Sequence, residues 1–171
     1  MALCKKVLIV VGARPNYMKA APLMKEFKKY RQRFSVKLIH TEQHYDFRMS
    51  EIFFRDLGLP RPDMFLNAGS ASHAVQTAKI MRSFEKVCLK EKPDLVIVVG
   101  DVNSTLACSI VAAKLRIKVA HVEAGLRSFD RTMPEEINRI ITDVLSDFLF
   151  VSEKSGIKNL KNEGADPKKV F

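Results

Sequence analysis

Little in this sequence can carry a covalent or metal framework. The 171 residues include three cysteines, Cys4, Cys88 and Cys108, far apart and with no CxxC pair. That argues against a disulfide scaffold or a zinc site and fits a reducing compartment. The amino-terminal "MALCKKVLIVVGARP" is too short to span a bilayer and lacks the small-residue cleavage pattern of a signal peptide, so it reads as a first strand. A cytoplasmic chain with no membrane partner is the expectation. GxGxxG and GxxxxGK[ST] are both missing, which removes the dinucleotide fingerprint and the P-loop. Acids are outnumbered, 19 Asp+Glu against 29 Lys+Arg, for a net charge of +10. Much of the basic excess lies in "KEFKKYRQR" (25–33) and reads as a solvated helix end. No RNP, KH or recognition-helix pattern interleaves it with aromatics, so no nucleic acid is expected as partner.

What is present is a core and an alternation. Apolar residues make up 47% of the chain, enough for one domain with a buried interior. Strand patterns at 6–12, 34–41, 93–101, 117–123 and 148–152 alternate with helical patterns at 15–31, 46–58, 72–92, 103–116, 133–146 and 153–164. A short strand at 64–66 is a further candidate. Pro15 suits a first helical turn, Pro22 predicts a kink or restart, and Asn103 or Ser104 is the expected cap of the helix from 103. The near-continuous apolar run "LVIVV" (95–99) is what a strand shows when both sheet faces are covered. Together these predict an α/β, doubly wound, Rossmann-like parallel sheet.

In such sheets ligands bind beyond the carboxyl ends of the strands. Four polar tips fall on that rim: "GARPNYMK", "TEQHYD", "GDVNST" and "HVEAGLRS". In the first, a turn at Gly12 runs straight into a helix whose amino terminus, with Arg14 and Lys19, can receive an anion; it also reads as an ordinary βα turn. Asp101 follows a buried strand, as a turn former or as an acid/base. Glu123 ends the next strand, and a carboxylate pair with Asp101 would raise its pKa into a range useful for proton transfer. Glu135 reads either as a third acid or as a first-turn complement to the helix dipole, with Arg139 four residues on as its expected partner. His121 reads as buried and hydrogen-bonded. His40 and His44 have no third ligand at helical spacing, so a metal is not expected.

At these residues the chain resembles the non-hydrolysing UDP-N-acetylglucosamine 2-epimerases. "GARPNYMKAAPL", "TEQHYD", "KPDLVIVVGDVNSTLA" and "HVEAGLRSFDRTMPEEINR" are similar to that family's signatures in order, over essentially the whole chain. The resemblance implies one half of a GT-B two-domain fold, with residues 1–171 as its amino-terminal domain. It also implies interconversion of UDP-GlcNAc and UDP-ManNAc, by removal of the C2 proton with anti elimination of UDP, then re-addition. Asp101, Glu123 and Glu135 would be the catalytic carboxylates, and Arg14, Lys19, His44 and Arg139 substrate-binding residues. Neither a metal nor a nicotinamide cofactor is implied. Two departures stand out. Asn16 follows "RP" where the family often has Glu. Gln43-His44-Tyr45-Asp46 differs from the Gln-His-x-Gln of effector-regulated members, and 68–74 has no Arg, so no strong activation by UDP-GlcNAc is expected.

The chain stops at "DPKKVF", where the family continues into a carboxyl-terminal nucleotide-binding domain. Little activity and weak nucleotide binding are therefore expected of the chain alone, with a carboxyl-terminal domain or complementing chain as partner. The resemblance further implies a homodimer through amino-terminal domains, with the helix at 72–92 as a candidate contact beside ordinary core packing. The competing readings are a GT-B glycosyltransferase domain and a non-catalytic remnant or interaction module.

Overall fold

The computed structural model describes residues 4–41, 58 and 60–171. The helix expected at 46–58 and most of the "TEQHYD" tip lie outside the described residues. Six strands, β1 (Lys5–Val11), β2 (Phe34–His40), β3 (Met64–Phe65), β4 (Leu95–Val99), β5 (Lys118–Val122) and β6 (Phe148–Phe150), form one sheet in the order β3-β2-β1-β4-β5-β6. Every pairing is parallel. The helices are α1 (Arg14–Phe27), α2 (His73–Glu91), α3 (Asn103–Lys114), α4 (Pro134–Leu145) and α5 (Lys154–Asn162).

The strand pleat sorts the core into two layers. Val7, Ile9 and Val11 of β1 meet Tyr17, Ala20 and Met24 of α1 on one face. Leu8 and Val10 meet Ile80 and Phe84 of α2 and Ala107 and Val111 of α3 on the other. β4 is buried from Val96 to Val99 because neighbours flank it and helices cover it, which is why its sequence shows no polar alternation.

One local expectation narrows and another fails. Pro22 does not restart a helix: α1 runs through it from Arg14 to Phe27, with Pro22 exposed. α3 is capped by neither Asn103 nor Ser104. Its flanking residue is Val102, with no side-chain cap bond. Ser104 instead bonds Thr41 at 2.7 Å beneath Gly12, where a Cβ would collide with the Ser104 hydroxyl. Only glycine allows β1 to pass that close to α3.

The chain goes from β1 to one side of the sheet and from β4 to the other. The carboxyl ends of β1 and β4 thus flank the crevice where such sheets bind ligands.

Candidate active site

The two banks of that crevice are joined by Asn16. Its Oδ1 accepts the N–H groups of Gly12 at 3.2 Å and Ala13 at 2.9 Å, and its Nδ2 donates to the Val99 carbonyl at 2.9 Å. The bond back to Ala13 is half of a capping box. The bond to Val99 needs an N–H that a carboxylate lacks, so Asn at this place ties β1 to β4. Its position three residues into the helix was the available signal. On the other bank Gly100 has φ +71°, and a Cβ there would approach the Asn16 amide at 3.1 Å. Next to the crevice lies a cleft of about 180 Å³ lined by Gly12, Thr41, Asn103, Ser104, Glu135 and Asn138.

The polar face of α4 closes over the β4 and β5 tips. Arg139 donates from Nε and Nη2 to Asp101 Oδ2 at 3.0 and 2.6 Å, and from Nη1 to Glu136 at 2.9 Å. Asn138 donates to the Asp101 carbonyl at 2.8 Å. Glu136 is 1% exposed and also accepts the Ser128 and Phe129 N–H groups at 3.0 Å each. Burial favours its neutral form, but the Ser128 N–H, Arg139 and the Phe129 N–H outweigh it and hold this carboxyl below its ordinary value. Burial likewise works against the charge of Arg139, yet its bonds to Asp101 and Glu136 raise its pKa.

Arg139 therefore pairs with Glu136 and Asp101 rather than with Glu135, as i,i+4 spacing had predicted. The physical reason is that Glu136 points inward under the N–H groups of the loop and draws the guanidinium with it. Glu135 is left lining the cleft, with no ion pair among the described residues. Glu136 is the residue that sequence reasoning missed.

The anticipated carboxylate pair does not form either. Asp101 turns to Arg139, and Glu123 forms an ion pair with Lys19 from α1. Each acid has its own cation. Glu123 sits at φ +74°, a left-handed conformation that a residue with a Cβ adopts at a cost of roughly 1–2 kcal/mol. Its N–H and that of Ala124 both donate to the Phe150 carbonyl at 3.0 Å, which holds the turn. Such strain gathers at functional sites. Arg14 is the first residue of α1, at the rim. Its side chain and the whole of His44 lie outside what the structure describes.

Beneath these tips is a buried charged chain. His121, fully buried, faces Asp143 Oδ1 through Nδ1 at 2.6 Å and the Gly100 carbonyl through Nε2 at 2.8 Å. Asp143 Oδ2 accepts the Gly125 N–H at 3.0 Å and meets Arg127 at 2.8 Å. Arg127 also makes a two-pronged bond to Glu163, at 2.8 and 2.6 Å. Burial would protonate Asp143, but His121 and Arg127 prevail and hold it below the usual carboxylate range. Arg127, at the heart of the acid-rich stretch, is thus a structural cation. His121 is buried and hydrogen-bonded as expected.

The family model described as UDP-N-acetylglucosamine 2-epimerase matches residues 25–171. A UDP-N-acetylglucosamine 2-epimerase homolog of Methanococcus maripaludis is 54% identical over 93% of this chain and 44% of that protein. A UDP-2,3-diacetamido-2,3-dideoxy-D-glucuronate 2-epimerase of Pseudomonas aeruginosa is 49% identical over 95% of this chain and 46% of its own length. The crystal structure of Methanocaldococcus jannaschii UDP-GlcNAc 2-epimerase, in complex with UDP-GlcNAc and UDP, superposes with a TM-score of 0.91 at 49% identity. It covers 97% of this chain and 45% of that one. The chain therefore spans a little under half the length of the relatives it matches. With the family model matching most of the chain and the fold agreeing with that of the solved relative, the chain belongs to the UDP-N-acetylglucosamine 2-epimerase family.

Proposed function

We propose that this chain is the amino-terminal Rossmann-like half of a GT-B nucleotide-sugar epimerase that interconverts UDP-GlcNAc and UDP-ManNAc in the cytoplasm. The observation that carries the reading is that two rim acids each meet a cation at the crevice, Asp101 with Arg139 and Glu123 with Lys19, while Glu135 lines the cleft beside them. The bound state of the Methanocaldococcus relative supports the substrate class.

The chemistry needs two kinds of group. Near C2, one acid/base takes the proton while the C2–H electrons form a C1=C2 bond and the C1–O electrons leave with UDP. A second delivers a proton to the opposite face, and UDP adds back at C1. Asp101, Glu123 and Glu135 supply three carboxyl groups on one rim. Near the diphosphate, Lys19, Arg139 and the amino terminus of α1 supply positive charge, and the resemblance assigns Arg14 and His44 to the same task. When a diphosphate draws Lys19 or Arg139 toward itself, the acid that cation held is freed for the proton. The same chemistry at C2 serves a UDP-2,3-diacetamido sugar, the substrate class in the name of the Pseudomonas relative.

A carboxyl-terminal half completes the cleft. A second copy of the chain is the other partner, supported by the outward apolar residues Ile137, Ile141 and Val144 of α4 and Val75 of α2. Among the described residues no helix is long and apolar enough to cross a membrane.

The test is proton NMR of UDP-GlcNAc in D2O with this chain, alone and with the carboxyl-terminal half of the Methanocaldococcus relative added. Deuterium at C2 and UDP-ManNAc are expected only with the added half. Exchange by the chain alone would overturn the need for a second half. No exchange by a complex shown to assemble would overturn the epimerase reading.

A further inference from the structure

Both ring nitrogens of His121 face acceptors. The Gly100 carbonyl can only accept, so Nε2 carries a hydrogen. Asp143 is held ionised by Arg127 and by the Gly125 N–H, so the hydrogen on that side belongs to Nδ1.

We propose that His121 is a buried imidazolium that positions the rim carboxylates. Through Nε2 it fixes the carbonyl of Gly100, the residue before Asp101. Through Asp143 it is coupled to the N–H of Gly125, two residues after Glu123. One charged ring thereby sets the spacing of the β4 and β5 tips from beneath, without touching substrate. The catalytic part of this inference rests on the epimerase reading. Asn138 and Arg139 hold Asp101 from above, so the tip is gripped on both sides by residues of α4 and their partner His121.

Long-range proton–nitrogen NMR of the 171-residue chain at pH 7.5 reads the ring directly. Expected is one histidine with both ring nitrogens protonated, assigned by its loss in His121→Gln. In Asp143→Asn that ring should become neutral with Nε2–H retained. The amide signals of Asp101 and Gly125 should move while those of β2 stay in place, which also shows that the variant is folded. A single neutral tautomer in the unsubstituted chain, or rim amides unmoved in Asp143→Asn, would overturn the proposal. In the complex with the carboxyl-terminal half, kcat of Asp143→Asn should fall about 100-fold with KM within about threefold, as for a misplaced catalytic group. Unchanged kcat would also overturn it. If the unsubstituted complex does not turn over, the epimerase reading fails, and the ring and rim signals still decide the role of His121.

Discussion

α2 and α4 lie on the same side of the sheet and use their faces in opposite ways. α2 buries Ile80, Phe84 and Cys88 and exposes charge, as a core-facing helix should. α4 buries Glu136, Asn138, Thr142 and Asp143 and turns Ile137, Ile141 and Val144 to the surface. The first helix contributes apolar area to folding. The second contributes hydrogen bonds to the backbone and side chains of the strand tips. α2 thus carries apolar stability alone, whereas α4 ties its stability to the geometry of the site, and substitutions should separate the two.

The largest effect is expected at Arg139. Arg139→Met removes the cation of Asp101 and one partner of buried Glu136, and turnover of the complex should drop about 100-fold or more, as when a charge-stabilising donor is deleted. Turnover above a tenth of the unsubstituted rate would break the distinction drawn for α4. Phe84→Ala should do the reverse. It should cost about 3–5 kcal/mol in urea unfolding of the chain, as large core truncations do, while the C2 exchange rate per folded molecule stays the same.

Glu136→Gln keeps the shape but loses the charge under Ser128 and Phe129. A loss of about 1–3 kcal/mol is expected, with hydrogen exchange of those two amides accelerating ahead of the rest.

The acid limb of stability sharpens the contrast further. Glu136 and Asp143 have lower pKa values folded than unfolded. The folded chain therefore binds fewer protons in that range, and stability rises with pH. Their contribution is complete above the unfolded carboxyl value of about 4 and is lost as pH falls through the lower folded values. Asp143→Asn should flatten this limb in acid titrations followed by circular dichroism; an unchanged limb would remove Asp143 from the account. The smallest effect is expected for Ile141→Lys, within about 0.5 kcal/mol for the single chain, as for most surface changes. Sedimentation would show whether that face holds two copies together.

The frame of the molecule was legible because each element carries its own signal. β1 and β4 are unbroken apolar runs between turn residues, and Pro134 opens α4. The rim acids were legible as polar residues at strand ends. Their partners were not, because the pairs join residues far apart in sequence: Lys19 with Glu123, and Arg139 with Asp101. α4 hid its orientation for a different reason. The i,i+4 spacing puts Glu135 and Arg139 on one helix face, so Glu135 read as the partner of Arg139 and Glu136 was given no role. Neighbouring helical residues point about 100° apart, and only the loop N–H groups above Glu136 decide which of the two turns in.

The left-handed backbone at Glu123 sets folding against chemistry at a single residue. Glycine would adopt that turn with less strain, so Glu123→Gly relaxes the backbone while deleting the carboxylate beside Lys19. Selection for a more robust fold alone would drift toward glycine there. A glutamate held in this conformation brings its carboxylate to Lys19 at a backbone cost that glycine would not bear.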